Sequence, residues 1–187
     1  MRRLCLSLLV VASCAHAPVE SAAPSWTLLR ATEGSDEIQL RSDVHMRRAT
    51  VTAEKVHGPD LELRRAEGKL DGTTYYRRPV ELQLRGESIV GQVGAEDWDL
   101  RVSPDGSETR VTGVIAGNPS TFWMSPARVR GALGTCTFDL VWSTGLYAGS
   151  RTCGLTSDNI ALQVPAALSS WSSPEVAALL GILAQRE

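Results

Sequence analysis

Apolar and polar residues alternate one by one along short runs of this chain, and turn residues separate the runs. Val80-Glu81-Leu82-Gln83-Leu84-Arg85 puts three apolar side chains on one face and three polar ones on the other. Trp98-Asp99-Leu100-Arg101-Val102 and Asp60-Leu61-Glu62-Leu63 do the same. A period of two with one polar face belongs to a half-buried antiparallel strand. Gly58-Pro59-Asp60, Ser103-Pro104-Asp105-Gly106 and Gly117-Asn118-Pro119-Ser120 punctuate these runs as turns. Many short strands joined by turns predict an all-β chain, an antiparallel meander closing as a barrel or a sandwich.

An internal repeat of about 40 residues fits the meander. Residues 89–102 align with residues 129–142: Gly91 with Gly131, Gly94 with Gly134, Asp99 with Asp139, Leu100 with Leu140, and Trp98 with Phe138. At most three such units fit in the chain, fewer than the four blades a propeller needs. The glycines within strands mark bulges, barrel corners or close backbone approach. No phosphate-binding glycine loop is present.

The period changes at the C-terminus. Ser172-Ser173-Pro174 is a helix start, with serine as cap and proline in the first turn. Val176, Leu179, Leu180 and Leu183 then recur at i, i+3, i+4 and i+7. This predicts a helix over about 173–186 with one apolar face, docked on the sheet or plugging a barrel end. Residues 26–187 read as a single β-rich domain ending in that helix.

Met1-Arg2-Arg3 precedes the apolar run Leu4 to Ala12, the layout of a secretory signal. The run is shorter than the ~20 residues a membrane span needs. Val11-Ala12-Ser13-Cys14 follows, and this stretch resembles the lipobox of bacterial lipoproteins. The resemblance covers about fourteen residues and identifies no family for the domain behind them. It implies removal of residues 1–13, lipidation of Cys14, and membrane attachment in the bacterial cell envelope. Residues 14–25 would then be the lipidated cysteine and a flexible tether. Ala15, rather than Asp, after the cysteine implies sorting to the outer membrane, by analogy with enteric lipoproteins. Several acyl chains hold a protein firmly, at about 0.8 kcal/mol per buried CH2.

With Cys5 lost with the signal and Cys14 lipidated, Cys136 and Cys153 remain as an even pair in an oxidising compartment. If Thr144 and Gly145 form a two-residue turn, Ser143 pairs with Leu146. Seven steps outward, Cys136 then meets Cys153 on a non-hydrogen-bonded pair, close enough for a disulfide. Trp142–Tyr147 and Phe138–Arg151 fall on the same kind of pair, giving an aromatic contact and a cation–π contact. The weak point is Thr144, since a tight type I′ turn requires a positive φ there.

Chemistry-bearing residues are sparse. His45, His57, Glu54 and Asp60 lie near one another in sequence without standard zinc spacing, so no metal and no cofactor are expected. No serine-hydrolase or zincin motif occurs. Asp97 and Asp99 flank Trp98 as a carboxylate pair, of use to a glycan-acting enzyme or, more simply, to a solvated strand face. Tyr75, Tyr76, Arg77 and Arg78, before Pro79, form the most conspicuous polar–aromatic cluster and a candidate binding surface at a strand end. The net charge of −2 becomes −4 without Arg2 and Arg3, and no basic run follows, which argues against nucleic acid as a partner. The sequence therefore favours a membrane-anchored, non-enzymatic envelope lipoprotein whose β domain binds or organises a protein partner. A lipocalin-like barrel for a lipid or other apolar ligand is the alternative, and a glycan-acting enzyme the third reading.

Overall fold

A computed structural model describes residues 28–184. The expected signal, Cys14 and the expected tether lie outside the described residues. The chain runs β1 (Glu37–Ser42), β2 (Met46–Val51), β3 (Lys55–His57), β4 (Glu62–Ala66), β5 (Lys69–Thr74), β6 (Arg78–Arg85) and β7 (Ser88–Val93). It continues through β8 (Glu96–Asp105), β9 (Glu108–Ile115), β10 (Asn118–Met124), β11 (Arg128–Leu133), β12 (Cys136–Ser143), β13 (Leu146–Cys153) and β14 (Thr156–Gln163), then helix α1 (Ser173–Ala184). Every strand pairs antiparallel with its neighbours in sequence, and β1 closes on β14 through Gln39–Gln163 to Ser42–Ile160. Of the two expected architectures, the structure is the closed barrel.

The alternation sets the two sides of the wall. Val80, Leu82 and Leu84 point in, as do Trp98, Leu100 and Val102. Arg64, Asp71, Glu81, Asp99, Arg101 and Asp139 point out and are exposed. A lipid-facing barrel carries an apolar outer band, so this wall is built for water.

The repeat is finer than the sequence alignment implies. Inward-facing Gly72, Gly91, Gly113, Gly131 and Gly149 lie on β5, β7, β9, β11 and β13. The structural unit is thus one hairpin of 18 to 22 residues, and an offset of 40 spans two of them. At Gly91 the backbone takes φ +150, and a Cβ would lie 2.0 Å from the Glu81 carbonyl oxygen on β6. Such kinks let short strands curve into a closed wall.

Helix α1 departs from the expected one-faced helix. Pro174 to Leu183 are all buried, including Ala177, Ala178, Gly181 and Ile182. The helix runs inside the barrel, and one that is apolar all round needs such a place. A barrel of eight strands fills with its own side chains, whereas diameter grows with strand number. Fourteen strands leave a central space, and a helix about 10–12 Å across occupies it. The Trp98 indole lies against the notch left by Gly181, where a Cβ would come within 2.7 Å of its Cη2.

Charged residues meet both ends of the described helix. Glu175 accepts hydrogen bonds from Ser172 N at 2.6 Å, Ser172 Oγ at 2.8 Å and Arg65 Nε at 2.7 Å. Burial opposes ionisation of Glu175, but these bonds and the Arg65 charge outweigh it and hold the carboxyl below its ordinary value. At the other end Arg47 donates to the Leu183 carbonyl at 3.0 Å and Arg151 to that of Ala184 at 3.3 Å. Acid at the start and cations at the end both suit the helix dipole.

The cysteine hairpin has the expected register. Thr144 and Gly145 form the turn, Cys136 faces Cys153, and the two are bonded with Cα atoms 4.1 Å apart. Thr144 accepts φ +51, the conformation it disfavours. Trp142 and Tyr147 meet edge-on at 5.0 Å. The Phe138–Arg151 cation–π contact does not form, although the two are register partners. Arg151 instead forks onto Asp158, with Nη2–Oδ2 2.7 Å and Nε–Oδ1 3.2 Å, and Phe138 packs edge-on against Phe122. A buried guanidinium takes a carboxylate before a ring because an unpaired buried charge is far costlier.

Tyr147 closes the end where the helix enters. Its hydroxyl accepts from Arg30 N at 2.8 Å and donates to the Ser125 carbonyl at 3.0 Å.

Two outcomes follow. Gly91→Ala should destabilise the barrel by more than about 3 kcal/mol, since backbone rather than a movable side chain opposes the new methyl; urea titration reads this directly. Burial pushes the Tyr147 hydroxyl from 10.0 up to about 12. The stability tied to its neutral form is complete below the unfolded value near 10 and is lost as pH rises through the folded value near 12. Melting temperature should therefore fall over that window, and Tyr147→Phe should flatten part of the fall.

Candidate functional site: a notch at one end of the barrel

The barrel wall is incomplete at one end, and a proline accounts for it. Strand β3 has only three residues and pairs with β2 at Thr50–His57 and Val51–Val56 alone. The next position able to donate to β2 is Pro59, which would face Arg48 and has no N–H. The chain turns instead, with Gly58 N donating to the Leu61 carbonyl at 2.8 Å. The β3–β4 hairpin thus stops short of its neighbours. Above it a notch opens between the start of β2 and the turn joining β5 to β6.

A cavity of about 650 Å³ fills this notch. Met46 and Arg47 form one side, Gly58 to Glu62 the floor, and Thr73 to Arg77 the other side, with His45 and Arg151 adjoining. The volume falls within the usual range for ligand sites, about 300–1,000 Å³, but the lining is largely polar. Arg47 bridges the notch with its guanidinium 4.1 Å from the Tyr75 ring centre while holding the Leu183 carbonyl. Thr74 is buried, lines the cavity, and its hydroxyl has no hydrogen-bond partner.

The aromatic–arginine cluster divides here. Tyr75–Arg77 forms a single 3-10 turn rather than a strand end, so the residues do not alternate faces. Tyr76 and Arg77 both take φ +59, an αL pair without glycine. Each such residue costs roughly 1–2 kcal/mol. Strain of this kind gathers at binding and switch segments. Tyr75, Tyr76 and Arg77 line the cavity. Arg78 does not; it begins β6, donates to the Val93 carbonyl at 3.1 Å and pairs with Glu96 at 3.2 Å.

Exposed apolar side chains collect around this end. Val44, Tyr76 and Leu155 on the β1–β2, β5–β6 and β13–β14 connections, and Met46 at the first position of β2, are exposed. Those connections lie along one arc of the rim, since the barrel order runs from β13 through β14, β1 and β2 to β5.

The other candidates come apart. Asp97 and Asp99 lie on the outer wall with Trp98 buried inside, so no cleft gathers them around the ring. Asp97 accepts from Gln92 Nε2 at 2.8 Å. His45 and Asp60 both reach the notch, whereas Glu54 sits at the opposite end of the barrel. Among the described residues no three histidines, cysteines or carboxylates gather as a metal site.

Sequence reasoning missed Arg47, Thr74 and Arg151. Arg151 had a legible signal: a turn at Gly154-Leu155 pairs it with Asp158 on the inward face, a charge pair where apolar residues belong. Arg47 and Thr74 had none, because the notch depends on β3 being short.

Comparison with protein-family models, with curated proteins and with solved structures finds no match to this chain.

Because Tyr76 is highly exposed and left-handed, Tyr76→Asn should relieve about 1 kcal/mol of strain. A melting temperature about 2–4 °C higher is expected by calorimetry. An unchanged or lower value would show that the ring contributes more to the notch than its backbone costs.

Proposed function

We propose that this chain is a lipid-anchored envelope lipoprotein whose barrel is a non-catalytic binding module, meeting a protein partner with its notched end. The filled interior carries this reading. Helix α1 is buried from Pro174 to Leu183, and the pocket beside it among Leu40, Phe122, Phe138 and Leu180 holds only about 20 Å³. That is room for about one water molecule. An apolar ligand of lipocalin size would have to displace the helix, so the alternative reading loses its site. The separation of Asp97 and Asp99 from any cleft removes the support for glycan chemistry.

The chain's entry point fits an anchor behind the barrel. Thr32 Oγ1 donates to the Gly145 carbonyl at 2.6 Å, and Arg30 is held by Tyr147. The described chain therefore joins the barrel at the end opposite the notch. A lipid on Cys14, inserted in the outer membrane, would tether that end and leave the notch facing away from the membrane.

Fractionation tests the anchor. Wild type should sediment with membranes as an acylated chain starting at Cys14, and Cys14→Ala should move to the soluble fraction. An unacylated soluble wild-type chain would refute the anchor. Native mass spectrometry of the purified barrel tests the filled interior, where a stoichiometric lipid inside would restore the apolar-ligand reading.

A further inference from the structure

We infer that the notch is a strand-addition site: an extended segment of a partner polypeptide pairs with the free edge of β2. This rests on the proposed role of the notched end as the binding end, and it names what that end takes.

The register of β2 supplies the argument. Val51 N donates to the Asp36 carbonyl at 3.0 Å, and Ser42 N to that of His45 at 2.7 Å. Residues 51, 49, 47 and 45 therefore direct their main-chain groups toward β1. Residues 50, 48 and 46 direct theirs the other way, by the alternation of an antiparallel pair. Thr50 meets His57 on β3, but the ladder gives Met46 and Arg48 no partner on that side. Met46 lines the notch and turns both its N–H and C=O toward it, and the Arg48 N–H points toward the floor, while the Arg48 carbonyl lies against the Gly58 backbone. Closed barrels remove such edges, so an open one in an otherwise continuous wall is a ready template for another chain.

The surroundings suit an added strand. Its side chains on one face would meet the buried Thr74 hydroxyl, which lacks a hydrogen-bond partner. Those at the rim would pack on Met46 and Tyr76, 57% and 82% exposed. The Gly58–Leu61 turn forms a floor that stops the strand from sliding inward.

The test uses the full mature chain and a phage-displayed library of random short peptides as the probe. Enriched peptides, made synthetically, should slow amide hydrogen exchange at Met46 and Arg48. Arg48→Ala should bind within about twofold of wild type, because its side chain points outward. Arg48→Pro removes the N–H aimed into the notch without touching the β1 ladder, and should weaken binding at least about tenfold. Exchange protection at Met46 and Arg48 stands as an independent readout should the proline variant fold poorly. No enriched peptide, protection confined to other residues, or a folded Arg48→Pro that binds like wild type would overturn the inference. So would binding that appears only after residues 185–187 are removed, which would assign the slot to the chain itself. Failure here leaves membrane anchorage standing, because the selection needs no membrane. Failure of anchorage likewise leaves strand addition standing.

Discussion

The burial of helix α1 inside the wall is the constraint on which the rest depends. A closed meander of fourteen short strands encloses more space than its own side chains fill. Without the helix, the inward faces of Leu82, Leu100, Phe122 and Leu140 would line a void, and each lost contact would weaken the wall. The helix in turn has no polar face to show water. Neither part is a stable object alone, so closure and helix insertion belong to one cooperative fold.

Burying a helix end to end raises the question of its terminal backbone groups. The wall answers at both ends with charge. Arg65 and Glu175 meet where the helix enters, and Arg47 and Arg151 take the final carbonyls at the notched end. Arg151 is itself buried with Asp158, each about 5% exposed at the side chain, so this cation is held in place rather than free to solvate. Arg47 completes the helix and also crosses to Tyr75. The helix terminus and the notch wall are therefore mechanically joined, and a partner seated in the notch would bear on the residue that anchors the plug.

The notch arises from a local interruption rather than from an added element. Pro59 ends the β2–β3 ladder, the Gly58–Leu61 turn shortens one hairpin, and the neighbouring hairpins stand above it. Two αL residues at Tyr76 and Arg77 then complete its far side at a cost in stability. A wall repeated this regularly elsewhere, with an inward glycine on alternate strands from β5 to β13, makes the break at β3 conspicuous.

The residues alone determined the period, the turns, the helix start at Ser172 and the register of the cysteine hairpin. Each of these is local: alternation fixes which side chains share a face, and a two-residue turn fixes which residues pair. The contact of Cys136 with Cys153 could thus be counted outward from Thr144-Gly145. Tertiary structure alone decided that β1 would meet β14, that the helix would lie inside rather than against the sheet, and that Tyr75, Arg47 and Thr74 would share one cavity. These contacts join residues far apart in the chain, and their energy comes from filling a common interior, which no window of sequence contains. The Arg151–Asp158 pair stands between the two cases. Its register was countable, but its preference over the Phe138 contact depended on the low-dielectric interior that only the closed barrel creates.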